Sequence, residues 1–256
     1  MGGVMVLNTG ERPIINRKFE QADRVHQIVY EMSAKFINKQ SQVLDYGCAG
    51  GYGSEYLSRF TQNKVVGYDI NAKVINQAAL FFKDIGHLEF TTALNLSCKF
   101  DVIVCSQMIE HISRDEGIVL IKKFLNYLKP QGILFLATVN KYITSHNKNK
   151  PVFPFHKYEY YPEDLFGILK LQFDNVLLFG QFNEEEIKTD FHAKLISTLS
   201  QIEIVRKIAR IMPLPLKNMI IGKRKKIETP YQISKNVECI RKSYVIIYQC
   251  YKSISR

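Results

Sequence analysis

The chain of 256 residues lacks most features that mark secreted or membrane proteins. Its five cysteines include no C-x-x-C pair, a pattern that indicates neither a disulfide framework nor a zinc site. No apolar stretch reaches the ~20 residues that a membrane-spanning helix requires. The N-terminus has no basic region followed by an apolar run, and it has no myristoylation motif. We therefore expect a cytoplasmic protein.

Acidic residues are scarce relative to basic ones. Asp and Glu number 24 against 35 Lys and Arg, so the formal net charge is +11. Such a surplus favours acidic partners, such as a phosphorylated substrate, nucleic acid or an anionic membrane, although a Lys-rich surface also arises without any binding role. The 46% apolar content predicts a folded core over most of the chain.

Short apolar runs alternate with helix-like segments between Gln42 and Asn140, as in strand-helix-strand units that build a parallel sheet. The predicted strands lie at 43–45, 64–68, 88–90, 100–105 and 132–138, followed by two more at 176–179 and 244–251. The predicted helices lie at 53–60, 71–82, 117–128 and 162–171. The sequence therefore predicts an α/β fold.

A glycine-rich turn follows the first predicted strand, from Asp45 through Gly47 and Gly51 to Gly53. Missing side chains let the backbone approach a ligand closely, and the helix that follows offers free N–H groups. The spacing is not G-x-G-x-x-G, and the negative charge of Asp45 would face a pyrophosphate badly but could hold an ammonium group. A cofactor with an α-amino group suits this turn better than NAD.

Asp69 follows the second predicted strand and can accept hydrogen bonds from both hydroxyls of a ribose. Alternatively, it caps the helix that begins near Asn71, as Asp commonly does. Because the glycine-rich turn lies at a suitable distance upstream, ribose binding is the favoured interpretation.

These motifs resemble those of class I methyltransferases that use S-adenosylmethionine. The turn from Asp45 to Gly53 looks like their first motif with Ala49 in place of a Gly, 100–106 looks like their fourth motif, and 128–132 looks like their "LKPGG" turn. The resemblance implies a Rossmann-like, doubly wound sheet of seven mostly parallel strands with the last strand antiparallel. It also implies S-adenosylmethionine contacts from the following residues: Asp45, Gly47, Cys48, Ala49, Gly51, Asp69, Ile70, Ser106 and Gln107.

The chain departs from this family in two places. The acid that often binds the adenine amino group is missing from 90–97, so the Ala93 backbone or Asn95 would have to substitute. Some quinone-pathway relatives carry a Glu-x-x-Glu-His metal motif, but here Gln107 replaces the first Glu, leaving Glu110 and His111. A single Glu-His pair is a poor site for a hard divalent ion, so we expect no bound metal.

His111 and His156 are the candidate catalytic residues, because histidine is the best general base near neutral pH. His111 comes just after the fourth predicted strand, at the sheet edge where open α/β proteins bind ligands. His111 could instead cap the helix near Arg114 or bond to a loop, and the aromatic neighbours of His156 could form either a substrate wall or loop packing.

Four segments are expected: an N-terminal cap at 1–40, a methyltransferase core at 41–182, a basic helical lid at 183–242, and the final core strand at 243–256. Within the lid, 205–226 carries eight basic and no acidic residues. It could contact an anionic membrane at its inner face or grip a phosphate-bearing substrate, although Pro213 and Pro215 interrupt any long amphipathic helix and favour a plain lid.

The expected function is methyl transfer to a small-molecule acceptor, such as a hydroxyl of a sugar or other metabolite. This acceptor class is implied by a further resemblance, to small-molecule methyltransferases of surface-polysaccharide or metabolite synthesis. The similar residues are 9–12, 109–111, 138–140, and His156 followed by Glu159 and Tyr160. An RNA methyltransferase using the basic segment, or a non-catalytic nucleotide-binding module of the same fold, is the alternative.

Overall fold

The core of the fold is a twisted sheet whose strands follow the predicted apolar runs. The computed structural model describes residues 18–95, 97–182 and 232–252. Its strands are β1 Val43–Tyr46, β2 Val65–Tyr68, β3 Leu88–Thr91, β4 Phe100–Ser106, β5 Leu128–Val139, β6 Asn175–Phe182, β7 Gln232–Ser234 and β8 Val245–Tyr251. All seven predicted strands are present, and the described residues add the three-residue β7.

The order of the seven predicted strands in the sheet is β3-β2-β1-β4-β5-β8-β6. Strands β1 to β5 pair in parallel, whereas β8 runs antiparallel to both β5 and β6. The doubly wound, mostly parallel sheet with an antiparallel last strand is therefore confirmed. The chain order reverses between β1 and β4, which is the kind of position where such sheets bind ligands.

Seven helices surround the sheet in the described part of the chain. They are α1 Arg24–Ala34, α2 Tyr52–Ser58, α3 Ala72–Phe81, α4 Arg114–Tyr127, α5 Lys141–Thr144, α6 Pro162–Lys170 and α7 Val237–Lys242. Short 3-10 turns occupy Phe19–Gln21 and Ile109–His111. None of these helices is long and apolar enough to cross a membrane.

Local sequence signals account for the helix boundaries. The side chains of Asn71 and Asn236 accept backbone N–H groups at the starts of α3 and α7. Ser113 and Glu116 form a reciprocal capping box at the start of α4, so this helix begins three residues before the predicted Gly117. Pro162 takes the first position of α6, where its missing N–H costs nothing.

Strand β5 begins earlier than predicted. Helix α4 ends at Tyr127, and Leu128 already pairs with Phe100 of β4. The register then shifts before the Val102–Ile133 pair, and Gln131 adopts a left-handed conformation with φ of 65°. The Pro-containing segment that was predicted to be a turn is thus an irregular start of the strand, because a bulge accommodates its extra residues.

The chain divides into two units, one formed by Met1–Gln181 with Ser234–Arg256 and the other by Phe182–Ile233. Because the first unit resumes at Ser234, α7 belongs to it, although the predicted lid extended to 242. The basic segment at 205–226 lies outside the described residues, as do the first 17 residues of the predicted cap. The lid and its membrane contact therefore stay predictions.

Candidate active site

The candidate site lies where the parallel strands end at one edge of the sheet. The segments that follow β1, β2 and β4 contain the glycine-rich turn, Asp69 and the 3-10 turn Ile109–His111, respectively. Parallel strands bring their carboxyl ends to the same edge, so these segments are neighbours in space although they are far apart in sequence. Every site residue predicted before His156 lies on one of them or at a strand end.

The glycine-rich turn uses the left-handed conformation three times. Gly47 and Gly51 both have φ of 80°, and Ala49 between them has φ of 44°. A Cβ at Gly47 would lie 2.7 Å from the Met108 side chain, and a Cβ at Gly51 would lie 2.5 Å from the Phe90 ring. The absent side chains therefore make room for the Met108 side chain and the Phe90 ring.

Asp69 ties this turn to the start of α3. One of its carboxylate oxygens accepts the Ala49 backbone N–H at 3.1 Å, and the other accepts the Asn71 N–H at 2.9 Å. The helix cap itself is Asn71, so the alternative in which Asp69 caps the helix directly is wrong. The Asp69 carboxylate is part-buried at the edge of the sheet, where ribose binding stays a prediction.

Asp45 is fully buried below the turn. Its two carboxylate oxygens accept hydrogen bonds from the Tyr30 hydroxyl at 3.2 Å and from the Ser54 hydroxyl at 2.7 Å. Burial raises the pKa of Asp45 from 3.8 to about 7, although both hydroxyls act in the opposite direction. The carboxyl thus sits close to its ionisation point at neutral pH.

Tyr30 is a site residue that the sequence reading missed. It lies on the buried face of α1, together with Ile28, Val29, Ser33 and Ala34. Its ring also lies where a Cβ at Gly53 would be, 2.2 Å from the nearest ring atom. The available signal was a phenol hydroxyl on a mostly apolar helix face, because a buried hydroxyl requires a hydrogen-bond partner.

The other predicted cofactor residues line the same edge. Cys48 is buried, and burial raises the pKa of its thiol. Ile70, two residues after β2, and Ser106, the last residue of β4, are part-buried. Gln107 has φ of 51°, and its buried side-chain nitrogen has no hydrogen-bond partner among the described residues. A non-glycine residue in this conformation with an unpaired amide is typical of a ligand-binding position.

Both predicted substitutes for the adenine-binding acid make hydrogen bonds within the chain. The N–H and C=O of Ala93 are both hydrogen-bonded to the Thr91 hydroxyl, and the Asn95 side-chain oxygen accepts the Ser97 N–H. Both residues are exposed. Their role in adenine binding stays a prediction.

The two candidate histidines face each other. The rings of His111 and His156 have centroids 5.1 Å apart and are nearly perpendicular. His111 Nδ1 lies 3.2 Å from the Phe155 carbonyl oxygen, so His111 contacts a loop, as one of the two alternatives predicted. The cap of α4 is Ser113, so the capping alternative for His111 is wrong.

A buried carboxylate orients His156. His156 Nδ1 lies 2.6 Å from Glu159, which also accepts a hydrogen bond from the Thr144 hydroxyl at 2.5 Å. Burial alone would raise the pKa of Glu159, but hydrogen bonds from His156, Ser145 and Thr144 hold it below its usual value. The ionised Glu159 therefore holds the imidazole ring in place.

Glu110 lies beside both histidines and is also buried. One of its carboxylate oxygens accepts a hydrogen bond from the Thr138 hydroxyl at 2.8 Å, and its backbone carbonyl accepts the Lys157 N–H at 2.8 Å. Burial raises the pKa of Glu110, and the neighbouring histidines act against this shift. Ligand-type atoms of Glu110, His111 and His156 all lie within 4.8 Å of one another.

Comparison with known proteins gives consistent results along most of the chain. Residues 17–192 match the family model described as "Methyltransferase domain". Over 205 residues the chain is 26% identical to a Mycobacterium tuberculosis protein named "Probable S-adenosylmethionine-dependent methyltransferase", covering 78% of this chain and 73% of that protein.

Two further relatives extend this comparison. The chain is 33% identical over 112 residues to the ubiquinone biosynthesis O-methyltransferase of Colwellia psychrerythraea, which covers 41% of this chain and 44% of the relative, less than half its length. The structure of N-methyltransferase NodS from Bradyrhizobium japonicum has a TM-score of 0.53 at 12% identity, covering 92% of this chain and 97% of NodS. At that identity the likeness shows the shared fold.

Proposed function

The chain belongs to the class I S-adenosylmethionine-dependent methyltransferases, and we propose that it methylates a hydroxyl group of a small molecule beside His111 and His156. The observation that carries this proposal is the facing pair of imidazoles, one of them held by a buried carboxylate. They lie at the same edge of the sheet as the glycine-rich turn, on segments separate from it.

The glycine-rich turn, Asp45 and Asp69 would hold S-adenosylmethionine. Asp45 would face the methionine amino group of S-adenosylmethionine and Asp69 would accept hydrogen bonds from the ribose hydroxyls, so the two acids would hold the cofactor at the carboxyl ends of β1 and β2. Asp69 supports this arrangement because it already holds the turn through Ala49. Gln107 offers a buried amide donor at the end of β4.

The methyl acceptor would lie beside His111 and His156. Transfer from a sulfonium is an in-line displacement, so the chain must chiefly align the acceptor oxygen with the methyl group and exclude water, which can supply ~7 to 11 kcal/mol. A hydroxyl must also lose its proton, and a well-placed base adds ~10² to 10⁴-fold. The Glu159 carboxylate, 2.6 Å from His156 Nδ1, orients the imidazole ring for this role.

A hydroxyl acceptor is favoured over an amine for two reasons. A neutral amine attacks through its lone pair and needs no base before the transfer. A hydroxyl must give up its proton, and an adjacent imidazole can accept it. The ubiquinone biosynthesis relatives are O-methyltransferases by name, although the match covers less than half of each of them. The acceptor class of sugars or other metabolites stays part of the proposal.

Two measurements test this function. Calorimetry should detect S-adenosylhomocysteine binding but no NAD binding, because the turn lacks the dinucleotide spacing. With labelled S-adenosylmethionine, a panel of phenols, quinols and sugars should yield at least one O-methylated product. Transfer only to RNA, with binding that weakens steeply as salt rises, would replace the small-molecule proposal with the RNA alternative.

A further inference from the structure

Glu110 contains a buried carboxylate oxygen that the described part of the chain does not satisfy. Its Oε2 accepts the Thr138 hydroxyl hydrogen, but its Oε1 has no hydrogen-bond partner among the described residues. A buried acceptor without a donor costs about 1 to 3 kcal/mol, and more for a charged group. Such an atom in a folded protein indicates a partner from outside the chain, such as a water molecule or an ion.

Each of the two histidines beside this oxygen is held by a contact to its Nδ1 atom. His111 Nδ1 faces the Phe155 carbonyl and His156 Nδ1 faces the Glu159 carboxylate. Both acceptors favour the proton on Nδ1, which leaves the lone pair on Nε2. Metal-ligating histidines are oriented in this way, by a backbone carbonyl or a carboxylate on the second ring nitrogen.

The three side chains lie close enough to share one ion. Their ligand-type atoms are within 4.8 Å of one another, whereas a tetrahedral ion with bonds of ~2.1 Å holds its ligands about 3.4 Å apart. Binding of one ion would therefore require the three side chains to move towards it. We propose that Glu110, His111 and His156 bind one divalent transition-metal ion, of the class represented by Zn²⁺.

The donor set determines the class of ion. Two imidazoles and one carboxylate suit Zn²⁺ and its transition-metal neighbours, whereas Mg²⁺ and Ca²⁺ prefer oxygen ligands alone. Three protein ligands also leave a fourth position open, as in catalytic rather than structural zinc sites. The expectation of no metal rested on the consecutive residues 107–111, where Gln107 removes a ligand, and it did not include His156.

The role of this ion deepens the proposed function and rests on it. An acceptor hydroxyl at the open position would be acidified by the cation and would release its proton to solvent near neutral pH before methyl transfer, while the two imidazoles would serve as ligands. The binding of the ion does not depend on that role, and it can be measured without any acceptor.

The test is metal binding by the full chain after treatment with a chelator. We expect one Zn²⁺ to bind per chain in competition with a chromophoric chelator, and one Co²⁺ to give the visible absorption of a four- or five-coordinate site. Glu110→Gln and His156→Ala should abolish the stoichiometric site. Glu159→Gln, which loosens only the support of His156, should weaken Zn²⁺ affinity about 10- to 100-fold.

His87→Ala is the matched control, because His87 contacts the Ser58 carbonyl before β3 and lies outside the cluster. It should leave Zn²⁺ affinity unchanged. Glu110→Gln keeps an acceptor for Thr138, and retained S-adenosylhomocysteine binding would show that each variant is folded.

Two results would overturn the metal proposal: no stoichiometric binding of Zn²⁺ or Co²⁺, or binding that Glu110→Gln and His156→Ala leave intact. Either result, together with retained O-methyl transfer, leaves the proposed function standing with His156 as a base. Zn²⁺ binding without any methyl transfer to a hydroxyl supports the site and removes the proposed function.

Discussion

Two buried carboxyl groups at the same sheet edge differ in how the chain satisfies them. Asp45, at the cofactor side, receives a hydroxyl on each oxygen, from Tyr30 and Ser54. Glu110, at the acceptor side, receives one from Thr138, and its other oxygen lacks a partner among the described residues. The chain thus satisfies both carboxylate oxygens of Asp45, whereas one oxygen of Glu110 has no partner among the residues that the structure describes.

The largest expected effect lies on the acceptor side. His156→Ala removes the imidazole that Glu159 holds, so the turnover number for O-methyl transfer should fall about 10²- to 10⁴-fold. S-adenosylhomocysteine affinity should stay unchanged, since His156 is separate from the glycine-rich turn. Steady-state kinetics and calorimetry check the two values. Undiminished turnover would mean that the acceptor side is not catalytic.

Gly47→Ala should damage the cofactor side next most strongly. The new Cβ would lie 2.7 Å from the Met108 side chain at a residue with φ of 80°, so the free energy of unfolding should fall by about 1 to 3 kcal/mol. Denaturant unfolding measures this loss. Gly86→Ala is the matched control, because a Cβ there meets nothing within 4 Å, and equal losses would contradict the packing argument.

The pH dependence of S-adenosylhomocysteine binding should report the ionisation of the Asp45 carboxyl. Its pKa of about 7 means that the free carboxyl is protonated below neutral pH, while an ammonium-bearing ligand favours the ionised form. Affinity should therefore fall as pH falls below about 7, by up to tenfold per pH unit. Isothermal titration at several pH values should show this slope in the wild type, and Asp45→Asn should flatten it.

The same shift predicts an opposite trend in stability. The folded-state pKa lies above the usual 3.8, so the favourable contribution of the protonated carboxyl is complete below about pH 4 and is lost as pH rises to about 7. The difference in unfolding free energy between wild type and Asp45→Asn should follow that window. A difference independent of pH would show that Asp45 does not titrate there.

The smallest expected effect concerns Ala49. Its φ of 44° is costly for a residue with a Cβ, so Ala49→Gly should relieve strain and raise the free energy of unfolding by about 0.5 to 1 kcal/mol, after the entropic cost of glycine. Thermal and denaturant unfolding test the gain. A loss of stability would indicate that the Ala49 methyl group packs favourably in the turn.

The sequence alone determined the sheet, the glycine-rich turn and the positions of Asp45, Asp69 and His111. These features depend on local patterns, since apolar runs, caps and glycine spacing act over a few residues. The early start of β5 escaped the sequence reading, because strand pairing with β4 overrides the turn preference of Pro130 and Gly132.

Only the tertiary structure decided which polar groups meet. Tyr30 reaches Asp45 from a separate helix, and His156 reaches Glu110 and His111 from a loop that the Glu110 backbone carbonyl anchors through Lys157. No short-range pattern encodes such pairs, because they depend on which segments the sheet order brings to one edge. The burial that raises the pKa of Asp45, and that leaves one Glu110 oxygen without a partner among the described residues, exists only once the chain is packed.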